Sequence, residues 1–192
     1  MRRLHRALLT GTAAALALPL LSTAAVAAPT PGVTLLSGSQ AAFTDSTPAI
    51  ADTPAGTRLS LTLDLRLRDP AGAEALAAAV SDPASAQHGK FLSPAQYARR
   101  FAATDASVRS VVGYLQSQGV DVTATSPTNR YVSISVTAAK AESLFGVDLK
   151  QYRVDGKVVQ ANAAEVRLPT QLAPLVGAVQ GLTRTPVTRN SP

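Results

Sequence analysis

Between Leu59 and Leu67 every second residue is a leucine, and Ser60, Thr62, Asp64 and Arg66 fill the positions between. A period of two sends alternate side chains to opposite faces of an extended chain, so this stretch predicts a strand with one buried and one wet face. Asp69-Pro70 then supplies a cap and a proline at the first helical position. The Ala-rich run Ala71 to Val80, with Glu74 in its early turns, predicts a helix packed by small residues against a sheet. Ser93-Pro94 repeats the start signal, and Tyr97 and Phe101 fall four apart on one face of the helix it opens. From Thr104 or Asp105 a third helix spaces Val108, Val111, Val112 and Leu115 at its own period, and Gly119 closes it in a left-handed cap.

Alternation then returns. Val120, Val122 and Ala124 interleave with Asp121, Thr123 and Thr125, Pro127-Thr128-Asn129 turns the chain, and Val132, Ile134 and Val136 interleave with Tyr131, Ser133 and Ser135. That pattern predicts a β-hairpin. Thr137 to Phe145 reads as a short helix ended by Gly146, Val147 to Val154 as a strand, and Asp155-Gly156 as a tight hairpin turn. Pro169 and Pro174 argue against a long helix in Arg167 to Leu182 and predict a short turn with a strand near Leu175 to Gly181.

The ends differ in character. Met1 to Arg6 is basic, Ala7 to Leu21 is apolar, and Ala25-Val26-Ala27 offers small residues for cleavage, so residues 1–27 read as a secretory signal peptide and the protein as secreted. The apolar run is short, is interrupted at Pro19 and has no second span after it, which argues against a stable membrane anchor. Residues 28–57 hold Pro29, Pro31, Pro48 and Pro54 without a sustained period and read as a flexible leader. Residues 58–182 are then the folded domain, and the polar stretch 183–192 a flexible tail or linker.

Charge changes the picture little. The chain has 18 Lys and Arg against 12 Asp and Glu, but Arg2, Arg3 and Arg6 leave with the signal, so the remaining excess is three and forms no stripe. A nucleic-acid footprint is not expected from so scattered a set. The chain has no cysteine, which excludes disulfides, thiol chemistry and Cys-based metal sites. Beyond the signal, His88 is the single histidine, the acids are dispersed and no glycine-rich phosphate loop occurs, so neither metal nor cofactor is expected.

Several short motifs follow one another in a telling order: Asp82-Pro83-Ala84-Ser85, Gly89-Lys90-Phe91-Leu92-Ser93, the Tyr97 and Phe101 pair, and the passage from Leu115 through Gly119 to Val122. Phe145-Gly146-Val147, Tyr152-Arg153, Pro169 and Gly181-Leu182 continue it. This order resembles the activation prodomain, of pro-kumamolisin type, of the sedolisin and kumamolisin serine-carboxyl peptidases. The residues that carry the resemblance best are Asp82, Pro83, Ser85, Gly89, Lys90, Leu92, Tyr97, Phe101, Phe145 and Gly146. Two positions depart from it: His88 stands where an aromatic is common, and Gln96 where an acid is common.

The resemblance implies an α+β unit, a ferredoxin-like antiparallel sheet with helices packed on one face. It also implies a non-catalytic role as intramolecular chaperone and inhibitor of a sedolisin-type peptidase domain, in cis or in trans, with removal by autoprocessing at acid pH. Such a peptidase needs a serine together with a Glu and an Asp one helical turn apart, so that the carboxylates share a face. No two of the 12 acidic residues here lie three or four apart. Ser37-Gly38-Ser39 falls in the expected leader, and a lone His88 in a loop supplies no triad. The alternative is the N-terminal part of a full zymogen whose catalytic domain is absent from this chain. A further alternative, a ferredoxin-like RNA-binding module, needs two or three stacking aromatics on its sheet, where only Tyr131 is clearly placed.

With the leucines turned toward the helices, the opposite sheet face carries Thr62, Asp64, Arg66, Tyr131, Ser133 and Ser135. A wet antiparallel sheet looks like this. The resemblance implies a docking face for the protease domain, with Tyr131 as its anchor.

Overall fold

The computed structural model describes residues 32–184. The expected signal segment and residues 185–192 of the expected tail lie outside them. Two short strands, β1 (Val33–Leu36) and β2 (Ala49–Asp52), flank a 3₁₀ turn (Ala42–Asp45) and lead into β3 (Arg58–Leu65). Three helices follow, α1 (Pro70–Ser81), α2 (Pro94–Phe101) and α3 (Asp105–Ser117), then the hairpin β4 (Asp121–Thr125) and β5 (Tyr131–Thr137). After α4 (Ala138–Phe145) come β6 (Leu149–Val154), β7 (Lys157–Asn162), β8 (Val166–Pro169) and β9 (Val176–Gln180).

The leucine alternation produces the central strand. Leu59, Leu61 and Leu63 are fully buried, while Ser60, Thr62 and Asp64 between them stay at least partly exposed. Burying a leucine stabilises by roughly 2 kcal/mol, and a slip of one residue would turn every one of them to water, so this register is strongly specified. The four-stranded sheet runs β4-β5-β3-β9 with every neighbouring pair antiparallel. Taken with α3 and α4, this is the βαββαβ order of a ferredoxin-like α+β fold, as the sequence resemblance implied. Val111 and Leu115 of α3 and Ala138, Ala141 and Phe145 of α4 join the leucines in one core.

Each helix starts where its cap demands. Asp69 accepts the Gly72 N–H at 2.8 Å, and Thr104 and Thr137 accept from Ser107 and Lys140 at 3.1 and 3.3 Å. Gly146 ends α4 at φ +57°, a left-handed conformation that favours glycine.

Two insertions enlarge the simple pattern. Helices α1 and α2 interrupt the first crossover, between β3 and α3, and strands β6 to β8 interrupt the second, between α4 and β9. The second insertion recruits the chain start: β1 pairs with β8, and β2 joins the sheet β2-β6-β7. Residues 33–52 are therefore not the structureless leader expected from composition. In the two strands only Leu36 is buried, where it joins the core, so the strands are held mainly by backbone hydrogen bonds to partners and show no apolar period.

Smaller differences have equally local causes. Leu67 lies past the end of β3 and is half-buried. In β4 the pairing shifts between Val122 and Ala124, so a bulge at Thr123 turns Ala124 outward, and the expected alternation stops halfway along this edge strand. The fold also continues past 182. Leu182 is buried, and Arg184 exchanges both backbone hydrogen bonds with Gln160 of β7, each at 2.8 Å. The Gln160 side-chain amide adds a bond to the Leu182 carbonyl at 3.1 Å.

Candidate functional site

The fingerprint stretch builds a folded loop across the α1–α2 junction. Asp82 accepts the Ala84 N–H at 2.8 Å, and turn bonds from Ser85 to Asp82 and from His88 to Ser85 follow at 3.0 Å. Gly89, at φ +70°, returns its N–H to the Val80 carbonyl at 3.0 Å, so the loop closes onto the end of α1. Pro83 and Lys90 lie exposed on it, and His88 is exposed as well. Leu92 and Tyr97 are half-buried, and Phe101 is fully buried with its ring 5.1 Å from that of Tyr97.

The Gln96 departure has a structural use. Its side-chain oxygen accepts the Ser93 N–H at 2.8 Å while the Ser93 hydroxyl accepts the Gln96 N–H at 3.3 Å, a reciprocal capping box. A glutamate at this position could accept the same bond, so the glutamine keeps the cap while dropping a charge. Replacing Ser93 by alanine is expected to cost about 1 kcal/mol, read as a lower denaturant midpoint; an unchanged midpoint would mean the cap carries no weight.

The candidate docking residues fall into two groups. In the β3–β5 register Asp64 opposes Tyr131, Thr62 opposes Ser133 and Ser60 opposes Ser135. Alternation places these on the side of the sheet away from the leucines and from α3 and α4. Tyr131 is 39% exposed there. Arg66 stands apart, beyond the end of β3, with its Nε donating to the Val176 carbonyl at 3.1 Å. Strand β9 completes the face with Ala178 opposite Asp64 and Gln180 opposite Thr62, and the Gln180 amide donates to the Asp64 carboxylate. No pattern in the sequence assigned those two residues, because their place depends on β9 returning to the free edge of β3.

The Ser37-Gly38-Ser39 stretch has a structural use. The Ser39 hydroxyl accepts the Val166 N–H at 2.8 Å, and the Gly38 N–H donates to Glu165 at 2.9 Å, so Ser37-Gly38-Ser39 fastens the chain start to the approach to β8. Among the described residues no three His, Cys, Asp or Glu side chains converge in a metal-ligating cluster, and no helix is long and apolar enough to cross a membrane.

A family model described as Pro-kumamolisin, activation domain, matches residues 47–185, from the approach to β2 through the fingerprint loop to just past Arg184. Sedolisin from Pseudomonas sp. (strain 101) is 36% identical over 138 residues, which are 72% of this chain and 23% of that protein. Xanthomonalisin from Xanthomonas sp. (strain T-22) is 35% identical over 124 residues, 65% of this chain and 15% of that protein. The chain thus spans less than a quarter of the length of either relative. Since the match covers the whole ferredoxin-like sheet and both of its insertions, the chain belongs to the pro-kumamolisin activation-domain family, the prodomains of sedolisin-type peptidases.

Proposed function

We propose that this prodomain chaperones and inhibits a secreted serine-carboxyl endopeptidase by docking the open face of its four-stranded sheet on the peptidase domain. The observation that carries the reading is the asymmetry of that sheet. One side is closed by α3 and α4 over fully buried leucines, while the other presents short polar side chains around a partly exposed Tyr131. Short side chains on a paired sheet have little conformational freedom to lose, and a tyrosine adds apolar area with few rotatable bonds, both favourable in a docking surface.

Length supports a module of a longer zymogen as the setting, since the relatives extend well beyond the matched region. In that setting inhibition acts in cis before processing, and the separated domain acts in trans. The apolar Ala7 to Leu21 after a basic start supports export.

The test mixes the purified chain with a sedolisin-type peptidase domain and compares wild type with the double variant Tyr131→Ala plus Ser133→Glu. Loss of a central anchor and burial of an unpaired charge are expected to weaken inhibition at least about thirtyfold. Equal inhibition by the double variant, with an unchanged melting curve, would overturn the docking face.

A further inference from the structure

We infer that a basic groove running off the edge of the docking face, between α2 and the β4–β5 turn, receives an acidic segment of the docked peptidase domain. This rests on the docking reading above and names the chemistry that the partner must bring. Three adjoining cavities, of about 610, 400 and 360 Å³, all have Thr128 in their walls and together make one groove. The largest shares Asp64, Tyr131 and Gln180 with the open face, so the groove continues the docking surface rather than forming a separate site.

Charge decides what the groove takes. Arg68, Arg99 and Arg130 are exposed and stand in its walls. The acids in those walls are Asp64 and Asp105, and each already accepts a side-chain amide, from Gln180 and from Asn129, the latter at 2.6 Å. Among the described residues the single ion pair joins Lys150 to Asp52, on β6 and β2, so none of these three guanidinium groups is directly paired with a carboxylate, and the walls carry three guanidiniums against two carboxylates.

Arg68 is also held in place. Its Nε donates to the Ala102 carbonyl at 2.7 Å and its Nη2 reaches the Ala98 carbonyl at 3.5 Å, which satisfies the end of α2 and fixes the guanidinium plane. A guanidinium fixed by two carbonyls still has donors to offer and loses little freedom on meeting a carboxylate. Two more guanidiniums on Arg99 and Arg130, across the Thr128 wall, favour a segment with several carboxylates over a lone one.

The experiment titrates the full chain against a sedolisin-type peptidase domain over a series of salt concentrations. Its variants are Arg99→Glu with Arg130→Glu, Arg99→Lys with Arg130→Lys, and the face variant Tyr131→Ala with Ser133→Glu. Charge reversal is expected to weaken inhibition about tenfold or more at low salt and to flatten its salt dependence, while the lysine pair stays within about threefold of wild type. Reversal that leaves inhibition unchanged, or weakens it with the wild-type salt slope, overturns the groove. Should the reversal variant melt early, the neutral pair Arg99→Gln with Arg130→Gln carries the same comparison. Loss of inhibition in the face variant, beside an unaffected charge variant, rejects the groove alone. A face variant that inhibits like wild type rejects the docking reading and the groove with it.

Discussion

Gly181→Ala is expected to destabilise the domain by about 3 kcal/mol or more, a fall of roughly 10 °C in melting temperature. Gly181 has φ +94°, outside the range a residue with a Cβ adopts easily, and it follows β9 directly. A Cβ built there would lie 2.6 Å from the Ser60 carbonyl oxygen and 3.3 Å from a methyl of Leu61. The obstructing atom is backbone in the central strand, so relief requires β9 or β3 itself to move. Gly119 provides the control: its φ is +69° but nothing lies within 4 Å of its Cβ position. Gly119→Ala pays the dihedral penalty alone and is expected to cost about 1 kcal/mol. Denaturant midpoints at constant slope compare the two. Equal losses would show that the approach to Ser60 relaxes without cost.

Phe101→Ala is expected to cost about 3–5 kcal/mol, the range for emptying a fully buried aromatic site, and to do so unevenly across the molecule. Phe101 has no exposed surface, touches Tyr97, and carries the Arg100 guanidinium 5.0 Å from its ring centre. Its carbonyl accepts the Arg68 N–H at 2.9 Å, a link between α2 and the segment after β3. Yet it lies outside the continuous core of the sheet, whose members run from Leu36 to Leu182 without it. Amide exchange should therefore quicken first in α1, α2 and the loop between them, with β3 and β5 still protected. Leu61→Ala, in the sheet core, is expected to lower protection everywhere. Uniform acceleration in the Phe101 variant would mean that the inserted helices and the sheet unfold as one unit.

The central fold was legible because it is written in periods and caps. The leucines of β3, the alternation in β5, the start signals at Asp69, Ser93 and Thr104, and the glycine stop after α4 each act within a few residues, where one sequence suffices. What could not be read depends on pairing between distant segments. β2 finds its partner β6 about a hundred residues later and β1 its partner β8 about 130 later, and of their side chains only Leu36 is buried, so composition alone made them look like a linker. The candidate face shows the same division. Thr62, Asp64, Tyr131, Ser133 and Ser135 followed from alternation, whereas Ala178 and Gln180 joined them through topology, and Arg66 fell outside once β3 ended at Leu65. The groove was hidden for a further reason, because Arg68, Arg99 and Arg130 are scattered in sequence and meet only when α2 folds against the β4–β5 turn.

The bridge between Arg184 and Gln160 has a consequence for tethering. Because the chain is pinned at β7 after leaving β9, anything joined after Arg184 starts from a defined point on the domain surface. A peptidase domain attached there would meet the proposed docking face at an effective concentration on the order of millimolar if the connection is short and able to span the distance. A contact that is weak between separate molecules would then be nearly saturated within one, and a single cut in the connection would convert a closed complex into one that dilution can open.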